Sequence, residues 1–390
     1  MPLDILPEPP DDLKRHSERL RARILAAIGT SGEIPFEQYM EMALYEPGLG
    51  YYSAGLHKLG RSGDFVTAPE IGSLFAACMA SQCADIGEEL GAYEVLEVGA
   101  GTGRLAADLL RQVNPSRAPV RYRILERSAD LQRVQKDRIS REAPAWADRV
   151  EWLKQPPVEA WQGVLIANEV IDALSAECFE IRDGGVHQLC VTHTSDGLGW
   201  STRPAPEGLE AAVRHLEKDT GLAFAQGYRS EIRPRLAAWL DSLTATLSRG
   251  LALFIDYGYP RSEYYLPERR EGTLMCHYRH RAHDDPFFLP GLQDITAWVD
   301  FTALAEAADA CGLSVDGYTS QAMFLLGCGL DRVLSERSAD AKDGGLALNA
   351  EARQLTLPGM MGERFQVMGL GRGLQHEPAA FSLRDLRYRL

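Results

Sequence analysis

The sequence feature that most constrains the fold is a run of glycines between a strand pattern and a helix pattern. Residues 93–98 have the pattern of a strand, Gly99, Gly101 and Gly103 follow, and residues 104–113 have the pattern of a helix. Glycines there let the backbone pass close to a ligand, and the first turn of the helix offers N–H groups without partners. The run therefore predicts a small-molecule site in an α/β protein, against the alternative of a tight structural turn.

Strand and helix patterns alternate along much of the remaining chain. Further strands are predicted at residues 120–125, 149–153, 164–167 and 251–255, with helices at 13–28, 71–90, 128–141 and 296–310. This alternation favours a doubly wound, mostly parallel sheet. Residues 365–370 suit a last strand, with an antiparallel alignment to its neighbours as one alternative, and residues 335–345 are predicted to form a surface loop.

Composition and charge exclude several classes of protein. The chain has 390 residues, 45% of them hydrophobic, and its net charge of −14 disfavours a nucleic-acid partner. Seven cysteines without metal-ligand spacing predict buried thiols and no metal site. No apolar run is long enough for membrane insertion, and the acidic, Pro-rich start has no signal or transit pattern, so we expect a cytoplasmic, bacterial protein.

The residues around the glycines help to choose the ligand. The dinucleotide fingerprint fails because Arg104 occupies the position of its last small residue, which weakens the alternative of an NAD-dependent dehydrogenase. The pattern that begins at Glu97 resembles the first motif of class I S-adenosylmethionine-dependent methyltransferases, whose cationic cofactor suits a nearby carboxylate. Glu126, at the end of the next strand, can accept hydrogen bonds from ribose hydroxyls in either cofactor class.

Two carboxylates and an amide follow the predicted strand 164–167. They are Asn168, Glu169 and Asp172, at the strand end where ligands meet open α/β sheets. The Asn/Asp-Pro-Pro-aromatic run of adenine and cytosine amino-methyltransferases is missing, so base methylation loses support. The arrangement suits a cationic or hydrogen-bonding substrate; alternatively, Asn168 or Asp172 caps a following helix.

Several segments in order along the chain resemble the MidA family, which includes a mitochondrial complex I assembly factor with protein-arginine methyltransferase activity. The segments are 45–51, 63–71, 97–103, 124–128, 167–172, 256–258 and 293–296, with 361–371 also similar. Two departures are small: Ser175 replaces the usual Pro, and Ala297-Trp298 follows the 293–296 motif. The resemblance implies a class I methyltransferase core, S-adenosylmethionine as donor and an N-terminal region that packs over the site.

Specific roles follow for the candidate residues. We expect Glu169 and Asp172 to hold a guanidinium group as catalytic residues, with Asn168 orienting it. The cofactor-binding residues are predicted to be Glu97, Gly99, Gly101, Gly103 and Glu126, together with Asp64, Thr67 and Glu70 from a loop that closes over the donor. Thr67 can instead cap a helix that starts at residues 70–71, and Asp256 and Glu231 either line the acceptor side or serve structure.

The resulting expectation is a protein-arginine N-methyltransferase related to respiratory complex I assembly factors. Its substrate would be an arginine side chain of a protein, and a homodimer is possible. The alternatives are an S-adenosylmethionine-binding assembly protein with little turnover, and a methyltransferase acting on a small molecule or RNA. We divide the chain into an N-terminal covering region (1–75), a cofactor-binding Rossmann-like core (76–175), a substrate-side insertion (176–235) and the rest of the core (236–390).

Overall fold

The computed structural model describes residues 6–55, 67–195 and 197–390. The helices in these residues are α1 (Asp11–Ile28), α2 (Phe36–Tyr45), α3 (Ala68–Ile71), α4 (Leu74–Leu90), α5 (Arg104–Gln112), α6 (Ala129–Glu142), α7 (Glu207–Thr220), α8 (Leu236–Thr244), α9 (Arg261–Tyr264), α10 (Phe301–Ala310), α11 (Gln321–Gly327), α12 (Leu330–Asp340), α13 (Leu346–Thr356) and α14 (Met361–Arg364). The strands are β1 (Glu33–Pro35), β2 (Glu94–Val98), β3 (Arg121–Leu125), β4 (Val150–Leu153), β5 (Trp161–Asn168), β6 (Glu177–Arg182), β7 (Gly185–Thr194), β8 (Gly197–Pro204), β9 (Arg229–Ile232), β10 (Leu247–Tyr259), β11 (Met275–Tyr278), β12 (Arg281–His283), β13 (Asp294–Thr296), β14 (Val299–Asp300), β15 (Ser314–Ser320) and β16 (Phe365–Arg372).

The central sheet has the strand order β15-β16-β10-β5-β2-β3-β4. The five strands from β10 to β4 run parallel, whereas β16 is antiparallel to both of its neighbours. The predicted doubly wound, mostly parallel sheet is therefore confirmed, as is the antiparallel last strand. The chain order reverses at β2, which has β3 on one side and β5 on the other. Ligands of open α/β sheets bind at such a switch point, beyond the carboxyl ends of the strands.

Helices bury both faces of the central sheet. Side chains on successive strand residues point to opposite faces, so neighbouring residues of one strand pack in different cores. Val95 of β2 packs in the core beneath α4, α5 and α6, whereas Leu96 packs in the second core, beneath α8 and α10. Continuous apolar strands such as residues 251–255 of β10 are typical of a sheet covered on both faces. This covering leaves the strand ends as the places where polar side chains can gather.

A second sheet lies beside the core. It has the order β1-β7-β6-β9, with β8 added to β7, so a strand from the N-terminal region joins the strands of residues 177–232. Helices α1 and α2 pack on this sheet: Ile24 of α1 and Tyr39 of α2 lie in one apolar cluster with Val191 of β7. A small sheet, β12-β11-β13, contributes Ile295 to the same apolar cluster. The N-terminal helices are thus fixed to the rest of the fold by burial.

The predicted bounds of three elements are wrong. The helix predicted at residues 296–310 begins only at Phe301, because the Asp300 side chain caps it by accepting from the Ala303 N–H at 3.1 Å. Of the predicted loop at 335–345, residues 335–340 are instead the end of helix α12, which buries Leu330 and Val333, whereas residues 341–345 are not helical. The predicted helix 71–90 is present as α4, which begins at Leu74, and the separate short helix α3 precedes it. Among the described residues no helix is long and apolar enough to cross a membrane.

Candidate active site

A cavity of about 680 Å³ lies beyond the carboxyl ends of β2, β3 and β5. Its lining comes from the glycine loop, from the ends of β3 and β5, and from helix α2 with the turn that follows it. Of the residues predicted as the site, those that line the cavity are Thr67, Glu70, Glu97, Gly99, Gly101, Glu126, Asn168 and Glu169. Gly103 and Asp172 do not line it. Asp64 lies outside the described residues.

The glycine loop joins β2 to α5. Gly99 donates its N–H to the carbonyl of Leu125 at 3.1 Å, which fixes the loop to the end of β3. Gly103 has φ of +76°, and a Cβ there would lie 3.1 Å from the Cα of Gln135 on α6. Gly103 therefore allows two helices to approach closely, while Gly99 and Gly101 form the wall of the cavity.

Glu126 is held in place by a buried amide. Its carboxylate accepts from the Ser128 N–H at 2.8 Å and from the Gln135 side chain at 3.2 Å. Gln135 also donates to the carbonyl of Gly101 at 3.0 Å and accepts from Trp152 at 3.0 Å. Burial raises the pKa of Glu126. The sequence analysis did not select Gln135, although this one side chain connects the glycine loop to the carboxylate at the end of β3.

Glu97 is 4% exposed and accepts a hydrogen bond from the Tyr122 hydroxyl at 2.7 Å. Burial raises its pKa to about 7, against the effect of the Tyr122 bond, and the nearby Glu126 carboxylate adds to the rise. Ionisation of this buried carboxyl group is unfavourable without a partner, so a nearby cationic group would stabilise its charged form.

Asn168 and Glu169 form the part of the cavity at the end of β5. Glu169 has a left-handed backbone, with φ of +53°, and its N–H donates to the carbonyl of Ile255 at 2.8 Å. The Asn168 amide donates to the Glu169 carboxylate at 3.0 Å. Burial and the Asp172 carboxylate raise the pKa of Glu169 to about 8. A strained, non-glycine residue at a cavity wall is typical of functional sites.

No helix follows β5: residues 169–174 form a turn, and the next element is β6. The alternative that Asn168 or Asp172 caps a following helix is therefore wrong. Asp172 is buried behind the cavity wall, where burial raises its pKa to about 6 against the effect of Arg233. It acts on Glu169 through its charge rather than by contact with the cavity.

Asp256 and Arg233 hold this turn in shape. The Asp256 carboxylate accepts from the N–H groups of Ile171 and Asp172 at 2.9 and 3.2 Å. The Arg233 guanidinium donates to four backbone carbonyls, those of Asp172, Leu174, Ala297 and Trp298. Of the two roles considered for Asp256, the structure gives it the structural one.

Glu231 likewise has a structural place. Its buried carboxylate accepts from the N–H groups of Thr273 and Leu274 and from the Tyr264 hydroxyl. It does not line the cavity.

The segment before α4 closes one side of the cavity. Thr67 occupies the N-cap position of α3, but its side chain makes no capping hydrogen bond. Glu70 accepts a short hydrogen bond from the Thr102 hydroxyl of the glycine loop. The Glu169 carboxylate receives the Ala68 N–H. These contacts join the segment to both the glycine loop and the end of β5.

Comparison with known proteins identifies the family. A family model described as "Putative S-adenosyl-L-methionine-dependent methyltransferase" matches residues 75–319. The chain belongs to this methyltransferase family. A crystal structure of a Burkholderia thailandensis protein bound to S-adenosyl-homocysteine has a TM-score of 0.92 and 40% identity, and the match covers 99% of this chain and 100% of that one.

Curated relatives confirm the resemblance to the MidA family. The mitochondrial protein arginine methyltransferase NDUFAF7 homolog of Drosophila melanogaster is 26% identical over 92% of this chain and 85% of its own length. NDUFAF7 of Homo sapiens is 26% identical over 89% of this chain and 82% of its own length.

The cofactor of the family is S-adenosylmethionine, as predicted. The described residues fit it. Glu97 and the loop N–H groups suit its amino-acid part, and Glu126 suits the ribose hydroxyls. The cavity volume lies within the range typical of cofactor sites.

Proposed function

We propose that this methyltransferase acts on the guanidinium group of arginine in a protein. The observation that carries the proposal is Glu169: a carboxylate at the cavity wall, with a pKa raised to about 8 and without an ion-pair partner among the described residues. A carboxylate in this state gains most from a cation that enters the cavity. The names of the curated relatives, which are protein arginine methyltransferases, support the same substrate class.

Methyl transfer would be a displacement in which the acceptor nitrogen bonds to the methyl carbon of S-adenosylmethionine as the bond from that carbon to the positive sulfur breaks. S-adenosyl-homocysteine would leave as a neutral thioether, and the acceptor nitrogen would give up one proton to solvent. Most of the catalytic task is alignment of nucleophile and donor. A guanidinium stays protonated throughout the physiological pH range, so it arrives as a cation and is a poor nucleophile. Glu169 can hold two of its N–H groups and localise the positive charge there, which leaves the third nitrogen freer to attack.

Asn168 and Asp172 assist Glu169 in different ways. Asn168 donates to the Glu169 carboxylate and orients it. Asp172, behind the wall, keeps negative charge near the site without touching the acceptor. This differs from the prediction that Glu169 and Asp172 together grip the guanidinium, and we assign direct contact to Glu169 alone.

The test combines purified protein with mass spectrometry. Extracts from a strain that lacks the gene are incubated with the chain and isotopically labelled S-adenosylmethionine, and labelled residues are identified. We expect label on arginine, lost in Glu169→Gln but retained in Glu159→Gln, which changes an exposed glutamate away from the cavity. Label on RNA or on a small molecule would contradict the arginine assignment. Binding of the cofactor without any label would favour an assembly protein with little turnover.

The domain boundaries, a cytoplasmic location and a homodimer remain proposals of the sequence analysis.

A further inference from the structure

The cavity lining that includes Glu169, the proposed contact for the acceptor, also contains two tyrosines that the sequence analysis did not select. Tyr45, at the end of α2, and Tyr52, in the turn that follows, both line the cavity together with Glu169. Their rings stack on each other, with centroids 5.6 Å apart and planes inclined by 22°. We call these two residues the tyrosine wall.

Local structure brings the two rings together. The chain reverses after α2, and Tyr52 donates its N–H to the carbonyl of Leu44 at 2.9 Å. Gly50 is needed for this reversal, because a Cβ there would lie 2.6 Å from the backbone of Leu44 and of Glu46. The position of the wall thus follows from a tight turn.

The hydroxyl groups of the wall are already engaged. Tyr45 donates to the carbonyl of Ala173 at 2.9 Å, and Tyr52 donates to the carboxylate of Asp294 at 2.9 Å. Burial and the nearby carboxylates of Asp172 and Asp294 raise the pKa of both hydroxyls far above the usual value, so they stay protonated and keep donating. What the wall can offer to a ligand is therefore the aromatic rings.

Acidic side chains line this side of the cavity. Glu41 lines the cavity beside the wall and accepts from the Ser175 hydroxyl at 2.6 Å, and Glu169 lines the end of β5. The arginines that line the cavity among the described residues are Arg104, the first residue of α5, and Arg127, which follows β3 and lies close enough to Tyr45 to interact with it electrostatically. Aromatic faces and carboxylates together favour a cation.

We propose that the tyrosine wall selects a planar, delocalised cation over an ammonium group, and so determines specificity for arginine over lysine. A guanidinium is planar and weakly hydrated, so it stacks on aromatic rings, whereas a lysine ammonium is a compact and strongly hydrated charge. The guanidinium plane would stack on the tyrosine rings, while the Glu169 carboxylate would accept hydrogen bonds from the N–H groups at its edge. This inference rests on the proposed function and names the residues that make the choice.

The experiment titrates two probes, N-acetyl-arginine amide and N-acetyl-lysine amide, into the chain loaded with S-adenosyl-homocysteine. The wild type is expected to bind the arginine probe more tightly. Tyr45→Leu and Tyr52→Leu should each weaken arginine binding by about 3- to 30-fold and change lysine binding less. Tyr45→Phe and Tyr52→Phe, which keep the ring, should recover most of the loss. Affinity for S-adenosyl-homocysteine in each variant reports whether the fold and cofactor side are intact.

A second measurement needs no substitution that removes a ring. In wild type with ¹³C-labelled tyrosine rings, the arginine probe should shift two tyrosine signals, which the two Phe variants assign. Two results would contradict the role of the tyrosine wall but leave the proposed function intact. One is a ratio of arginine to lysine affinity that does not change in the Leu variants. The other is a wild type that prefers the arginine probe but shows no shift of the tyrosine ring signals. A wild type that binds S-adenosyl-homocysteine but does not prefer arginine overturns both.

Discussion

Binding of the acceptor should release a proton, because Glu169 is protonated at neutral pH before a cation arrives. Its pKa is raised to about 8 by burial and by the carboxylates of Asp172 and Asp294, against donation from Asn168. Asp256 and Tyr257 also lie close enough to interact with it electrostatically. An entering guanidinium favours the charged carboxylate and lowers its pKa, so the proton must leave.

The magnitude follows from the pKa of about 8. At pH 7 roughly nine tenths of the Glu169 carboxyl groups are protonated, and at pH 9 roughly one tenth. Each binding event should therefore release about 0.9 proton at pH 7 and about 0.1 at pH 9. Since only the ionised form binds, the observed affinity for an arginine peptide should rise about tenfold between these pH values.

Calorimetry can count the protons. An arginine peptide is titrated at pH 7 into protein loaded with S-adenosyl-homocysteine, in two buffers with different ionisation enthalpies, and the difference in apparent enthalpy gives the number released. Glu169→Gln should abolish the release and flatten the pH dependence of whatever binding remains. Asp172→Asn should reduce the release in part, because the pKa of Glu169 falls when its neighbour is uncharged. A count near zero in wild type, or an unchanged count in Glu169→Gln, would refute the reasoning.

Three further substitutions test the residues predicted to bind the cofactor and the hydrogen bonds that hold the turn after β5. Glu126→Ala should weaken S-adenosylmethionine binding by about 10- to 100-fold, the value of charge-assisted hydrogen bonds to ribose, while the exposed Glu159→Ala should not; calorimetry measures both. Glu97→Gln should also weaken binding, yet raise the free energy of unfolding of the ligand-free protein at pH 8 by roughly 2–3 kcal/mol. The folded-state pKa of Glu97 is raised, so its ionisation destabilises the fold as pH rises from about 4.5 to 7, and the gain should vanish below that window in denaturant titrations. Arg233→Lys should cost about 2–4 kcal/mol and slow turnover with little effect on cofactor affinity, because a lysine cannot serve four buried carbonyls; equal cofactor and turnover losses would contradict this.

The sequence was most informative where a short segment determines its own structure. The glycine run predicts a strand, turn and helix in direct succession, and the structure has β2, the loop and α5 within a residue or two of the expected bounds. The ends of β3 and β5 were also correctly located, and with them Glu126, Asn168 and Glu169. Parallel strands bring their carboxyl ends to one edge, so these predictions gather at one cavity without any long-range information.

The features that were missed depend on contacts between distant parts of the chain. Tyr45 lies in a segment that the family resemblance included, but its contact with Ala173 spans 128 residues. Gln135 is one polar residue among many on α6, and only its complete burial distinguishes it. Residues 335–340, the second half of α12, have the pattern of a loop because the exposed face of this helix is polar and its buried face has few residues. Local patterns carry no signal for such packing.

The loss of folding stability at Glu169 favours a catalytic role for this site over a purely structural one. Glu169 combines a left-handed backbone, which costs on the order of 1–3 kcal/mol in a non-glycine residue, with a carboxylate that is unfavourable to ionise where it stands. Six hydrogen bonds, two accepted by Asp256 and four donated by Arg233, fix the turn that carries Glu169 or the segment that packs against it. A protein that needed only to bind its partners would gain stability from a glycine at this position, which would remove both the backbone strain and the buried acid. A strained acid at the edge of the cavity is what the proposed acceptor site for a cation requires.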